Sequence, residues 1–215
     1  ILSGEGAAWG NASKNGMEMA IEELNAQGGV LGRKLAAVYQ DDQGMPSKAI
    51  SAFQHLVNVK GIKLIVGSTF STVGLPLIDL AARGKVLMIS PSLGMAKFNE
   101  SSEYLFNTWP HDFVLSQKLA EYVYAKGYHR VALVGAEDVW VKEQTEAFKT
   151  RFTELGGTIA FLTEPLPRAV ELRSEALKIK ESSGIDAVVS TSDGILSGSL
   201  IAMALKQLNS KLPFF

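Results

Sequence analysis

From about residue 12 onward the chain alternates stretches of helical periodicity with short apolar runs. Met17, Ala20, Ile21 and Leu24 recur at i, i+3, i+4 and i+7, one face of a helix, and Gly28-Gly29 offers a positive-φ stop. A helix is therefore predicted over 12–27. Residues 35–40 read as a short strand that ends at Asp41-Asp42-Gln43-Gly44. Pro46 then suits the first turn of a second helix with Ala49, Ile50, Phe53, Leu56 and Val57 inward. Residues 62–66 and 86–89 are unbroken apolar runs of the kind buried on both faces, separated by a helix over 73–83.

The segment 107–112, NTWPHD, interrupts this rhythm with a proline and polar residues, and a second series follows it. That series predicts helices over 112–126, 141–155, 171–181 and 196–208, and strands over 130–134, 158–162 and 185–190. Strands alternating with helices call for parallel sheets covered on both faces. The expected fold is α/β, with two doubly wound parallel-sheet lobes over 1–109 and 110–215. Both ends read as cut: Ile1-Leu2-Ser3-Gly4 looks like the exit of a strand whose body is absent, and Pro213-Phe214-Phe215 like the beginning of one.

Composition narrows the function by exclusion. The chain has 215 residues, 47% hydrophobic and 20% charged, enough to bury a sizeable core. Its formal net charge of −1, from 21 basic and 22 acidic residues, offers no electrostatic footprint for nucleic acid or an anionic membrane. The absence of cysteine excludes disulfides, thiol catalysis and cysteine metal sites, and fits cytoplasm and periplasm equally. No apolar run reaches the roughly 18 residues that span a bilayer.

Enzyme signals are poor, and no cofactor or metal is called for. His55, His111 and His129 are scattered without ligand spacing and read as surface or capping residues. There is no nucleophile elbow and no phosphate loop, and the glycines at 4, 6 and 10 have the wrong spacing for a dinucleotide fingerprint. Asp41-Asp42 reads as a cap of the following turn and helix, and Glu137-Asp138 as solvated loop.

The strand ends carry the stronger signal. In a parallel α/β sheet, ligands sit outside the carboxyl ends of the strands. Ser68, Thr69, Ser71 and Thr72 follow one such strand, and Ser92 follows its neighbour. One helix cap needs one side chain, whereas a carboxylate accepts several hydroxyl and N–H bonds together, so the excess of hydroxyls points to an acid group. Trp9 and Trp140, one in each series, read as loop residues after strand exits and as flat walls for a small organic ligand.

AIEELNAQGGVLGRKL (20–35), YQDDQGMPSKAISAFQHLV (39–57), LIVGSTFSTV (64–73), GKVLMISPS (84–92) and RVALVGAEDVW (130–140) together resemble the periplasmic solute-binding proteins of branched-chain amino acid (Leu/Ile/Val-binding) ABC transporters, of the type I periplasmic-binding fold. The resemblance implies two hinged lobes that close on an amino acid or similar small carboxylate, without catalysis, and present it to a membrane permease. It further implies a monomer that works in the periplasm or lipid-anchored outside the cell. By motif position it places Trp9, Ser71, Thr72, Ser92, Gly94, Trp140 and Asp193 at the ligand, Ser71 on its carboxylate. Gly94 stands where many relatives carry threonine, and the family's later acidic residue would lie beyond Phe215. A ligand-sensing domain of a receptor or regulator, for aromatic acids or amides, is the alternative on the same fold.

Overall fold

The computed structural model describes residues 1–167, 169–192 and 197–215. They divide into two units, Ile1–Pro110 and His111–Phe215.

In the first unit, helix α1 spans Ala7–Ala26 and α2 spans Pro46–Gln54, continued by a wider helical turn over His55–Val59. Strand β1, Leu64–Val66, leads into α3, Ser71–Gly74, a 3-10 turn and α4, Ile78–Gly84. Strand β2, Leu87–Ser90, is followed by α5, Ala96–Glu100, and β3, Leu105–Asn107. The strands form a parallel sheet in the order β1-β2-β3, with Leu64 opposite Leu87 and Met88 opposite Leu105. Ala49, Phe53 and Leu56 are buried as their helical spacing requires, together with Val73, Val86, Met88 and Phe98.

Two expectations fail in this unit for one reason. Residues 35–40 form no strand: a strand exists only by pairing, and among the described residues nothing pairs with 36–40. The run 62–66 is not buried on both faces either, since Leu64 is 56% and Val66 45% exposed. β1 has β2 on one edge and no described strand on the other. The predicted inward face of α1 is correspondingly loose, with Leu24 exposed.

The second unit is fully layered. Helix α6, Asp112–Ala125, is followed by β4, Arg130–Val134, then α7, Val139–Glu154, and β5, Thr158–Thr163. Next come α8, Arg173–Glu181, β6, Ala187–Ser190, and α9, Gly198–Gln207. The parallel sheet runs β5-β4-β6, and Pro213–Phe215 lies along the outer edge of β6, where Phe215 N–H donates to the Val188 carbonyl at 2.9 Å. Alternate residues of β4 face opposite layers. Val131 and Leu133 pack with Val123 of α6 and Phe148 of α7. Ala132 and Val134 pack with Ile179 of α8 and Ile201 of α9. That is the doubly wound arrangement the alternating pattern implied.

Candidate functional site

At the carboxyl ends of β1 and β2 the sequence places four hydroxyl residues in space, not merely in order. Ser68, Thr69 and Ser71 are each less than a tenth exposed, and Ser90 is fully buried. The Ser90 hydroxyl ties the two exits together: it donates to the Ser68 carbonyl at 2.6 Å and accepts the N–H of Leu93 at 3.0 Å. Ser92 Oγ donates to the Thr69 carbonyl at 3.0 Å, so the two loops share a direct bond. Asn107, at the end of β3, donates to the Leu93 carbonyl at 2.9 Å and fixes the backbone just before the buried Gly94. The third strand thus braces the loop of the second.

The start of α3 resolves whether Ser71 or Thr72 is only a cap. Phe70 occupies the N-cap position with extended backbone, and no side chain caps the helix. Ser71 and Thr72 are the first helical residues, whose N–H groups have no partner within a helix. Among the described residues none bonds the Ser71 hydroxyl, although the residue is only 5% exposed. Gly74 allows this turn to sit close to the neighbouring loop: a methyl group there would lie 2.4 Å from Leu93 Cδ1. The result is a turn with a hydroxyl and N–H groups to spare, suited to an acceptor-rich group such as a carboxylate.

Trp9 and Trp140 do not lie in loops. Trp9 is in the first turn of α1, half exposed, because the helix begins five residues before the predicted start. Gly10, its neighbour, lines the same cavity as Ser68 and Thr69, so the start of α1 borders the hydroxyl loop. Trp140 is in the first turn of α7, and Asp138 is a true N-cap rather than solvated loop, accepting the N–H groups of Trp140 and Val141 at 2.8 and 3.2 Å. The Trp140 indole N–H donates to the buried carboxylate of Asp112 at 2.7 Å, which sets the ring on its unit. Asp112 went unrecognised in the sequence because its partner is 28 residues away and no local pattern joins them. Below this pair, Ser116 donates to Gln144 at 2.9 Å, and the hydroxyls of Thr145 and Thr191 meet at 2.8 Å. Asp193 lies outside the described residues.

The carboxylates at 41 and 42 bind turn backbone, as expected, though not the helix that follows, whose N-cap is Met45. Asp41 accepts Leu2 N–H at 2.7 Å, the Ser3 hydroxyl at 2.5 Å and Gln43 N–H at 3.0 Å. Burial pushes this carboxyl up, but those bonds outweigh it and hold its pKa at about 2. Asp42 accepts Gly44 N–H at 2.8 Å and faces the amino group of Ile1 at 3.3 Å. His111 stacks on Phe113, and His129 meets the Tyr124 ring edge-on at 4.4 Å. No cluster of three metal-ligating side chains occurs among the described residues.

Comparison with known proteins decides which family builds this arrangement. The pattern of the family described as periplasmic binding protein matches residues 1–210. The chain belongs to the periplasmic binding protein family. The Leu/Ile/Val-binding protein BraC3 of Rhizobium johnstonii is 32% identical over 160 residues, 73% of this chain and 43% of that protein. Leu/Ile/Val-binding protein homolog 3 of Brucella melitensis is 30% identical over 189 residues, 87% of this chain and 51% of that protein. The chain therefore spans about half the length of these curated relatives. Among solved structures, the branched-chain amino acid transporter substrate binding protein LivJ of Streptococcus pneumoniae, in complex with isoleucine, superposes with a TM-score of 0.86. It is 24% identical and is covered to 60%, with 99% of this chain aligned. As a periplasmic binding protein, the chain has the bilobed α/β fold with two parallel sheets that the alternating sequence pattern predicted.

Proposed function

We propose that the chain belongs to an extracytoplasmic solute receptor of an ABC transporter. It takes a small amino acid or a similar carboxylate by closure of its two lobes and hands it to a membrane permease. The observation that carries this reading is the Ser71 hydroxyl, unbonded among the described residues on a residue only 5% exposed, beside the cross-braced Ser68–Ser92 loops. In it, Ser71 and the N–H groups of Ser71 and Thr72 hold the acid group, the backbone at Ser92 and Gly94 completes that end, and Trp9 covers it. Trp140, set by Asp112, and Asp193 serve from the second unit. The relatives named for leucine, isoleucine and valine support an amino-acid ligand. The receptor works as a monomer outside the cytoplasmic membrane, free in the periplasm or held by a lipid anchor.

Closure by a ligand requires differential affinity for the closed state, and an acid group held by several hydrogen bonds supplies it. Calorimetric titration with leucine, isoleucine, valine and 4-hydroxybenzoate, each paired with its methyl ester, tests the reading. The free acids of one class bind and their esters do not; esters that bind as tightly as the acids would overturn it.

A further inference from the structure

The first unit gathers positive charge at the end opposite its hydroxyl loops. In a parallel α/β unit the amino ends of the strands and the carboxyl ends of the helices before them meet on one side, away from the strand exits. Three turns stand there: 27–34 after α1, 60–63 ahead of β1, and 84–86 between α4 and β2. Leu24, Leu35 and Ile62 line one cavity, which sets the first turn beside the second. Lys63 Nζ donates to the Gly84 carbonyl at 2.9 Å, which joins the second to the third. These turns and their flanks carry Arg33, Lys34, Lys60, Lys63, Arg83 and Lys85, all exposed and none ion-paired among the described residues.

Lys63 and Arg83 bond carbonyls of α4, an ordinary place for cations at the carboxyl end of a helix. The side chains of Arg33, Lys34, Lys60 and Lys85 bond nothing among the described residues, so no contact within the chain accounts for them. The acids at this end are Glu22 and Glu23 of α1, with Glu100 and Glu103 ahead of β3 at the far edge of the sheet. The net charge of −1 hides the segregation, because Asp41 and Asp42 lie at the strand exits beside Ile1 and Leu2.

The first turn adds an apolar tip. Leu31 is 97% exposed and has a φ of 51°, a backbone region that leucine rarely enters. The turn is built to hold it there. Val30 and Arg33 exchange backbone bonds at 2.8 and 3.0 Å, and the Asn25 side chain brackets Leu35, donating to its carbonyl at 2.9 Å and accepting its N–H at 2.7 Å. Val59, just before the second turn, is 68% exposed. Protruding apolar tips ringed by cations on flexible stems suit a fluid surface in which an apolar layer lies beneath anionic headgroups.

We propose that this end of the first unit docks on an anionic phospholipid surface. Val30 and Leu31 enter the boundary between headgroups and acyl chains, and Arg33, Lys34, Lys60 and Lys85 meet the headgroup phosphates. None of these residues belongs to the hydroxyl loops, so the contact is independent of which solute they hold.

Sedimentation with lipid vesicles tests the proposal. The chain co-sediments with vesicles of phosphatidylglycerol mixed into phosphatidylcholine, not with phosphatidylcholine alone, and added salt releases it. Lys60→Glu together with Lys85→Glu weakens binding about tenfold or more. Leu31→Asn, which suits a positive φ, weakens it about threefold or more and leaves thermal unfolding unchanged. Because the chain has no cysteine, Leu31→Cys takes a polarity-sensitive dye at that position alone. Its emission moves to the blue on the anionic vesicles, whereas the same dye on Leu166→Cys, an exposed position of the second unit, keeps its emission. No binding, equal binding to both kinds of vesicle, or binding that leaves the dye at position 31 unshifted would overturn the proposal. So would soluble polyglutamate that binds as tightly as the vesicles and displaces them, which would make the partner an acidic protein.

Discussion

β1 and β4 carry the same kind of sequence, a short unbroken apolar run, and meet opposite fates. Every residue from Val131 to Val134 is fully buried, with β5 and β6 on either edge and a helical layer on either face. Leu64 and Val66 are about half exposed, with β2 on one edge and a cavity on the other. The difference lies in the neighbours and not in the residues. An apolar run states that a strand can be central; only a second strand makes it so.

Truncating one residue in each strand breaks or sustains that contrast with the largest effect. Leu133→Ala removes a fully buried side chain and costs about 2–5 kcal/mol, whereas Leu64→Ala, at a half-exposed position, costs less than about 1 kcal/mol. Chemical denaturation followed by a probe in each unit measures both, and equal losses would refute the contrast. Next in size is Gly10→Ala. A methyl group there would lie 1.5 Å from the Ile1 carbonyl oxygen, a backbone atom, so α1 or Ile1 must shift, at about 1–3 kcal/mol in the first unit alone.

In the second unit, Asp138→Ala removes the cap on Trp140 and Val141 N–H and costs about 1 kcal/mol. Acid should separate the units more gently. Asp41 titrates at about 2 when folded, below the ordinary carboxylate value near ~3.9, so its contribution is complete above that value and lost as pH falls through about 2. The first unit therefore weakens between about pH 4 and pH 2, and Asp41→Asn removes that part of the slope. An unaltered acid profile in the variant would contradict the bonding described for Leu2 and Ser3.

How much could be read from the chain follows the same contrast. The described elements of the second unit lie within about two residues of their predicted bounds, because β4 and β6 sit between complete helical layers and each run meets the environment it suits. The strand at 35–40 could not be judged from its residues, since its pairing depends on a neighbour. Short α5 and β3 escaped notice: Leu105, Phe106 and Asn107 are too few to show a period, although Leu105 is buried opposite Met88. Trp9 was misplaced because the apolar period that marks the helix begins only at Met17, whereas α1 starts at Ala7, with Gly10 giving it room against Ile1. At the candidate site the hydroxyl excess was visible, but Ser90 as the knot between two loops and Asp112 as the anchor of Trp140 arise from partners 22 and 28 residues away.

The central claim is that the hydroxyls after β1 hold the acid group of a small solute, and Ser71 tests it most directly. Calorimetric titration of the unaltered chain, Ser71→Ala and Ser71→Thr with whichever amino acid binds measures the loss. On that claim, alanine weakens binding about tenfold or more while threonine, which keeps a hydroxyl, restores much of it. Equal affinity in all three proteins would contradict it.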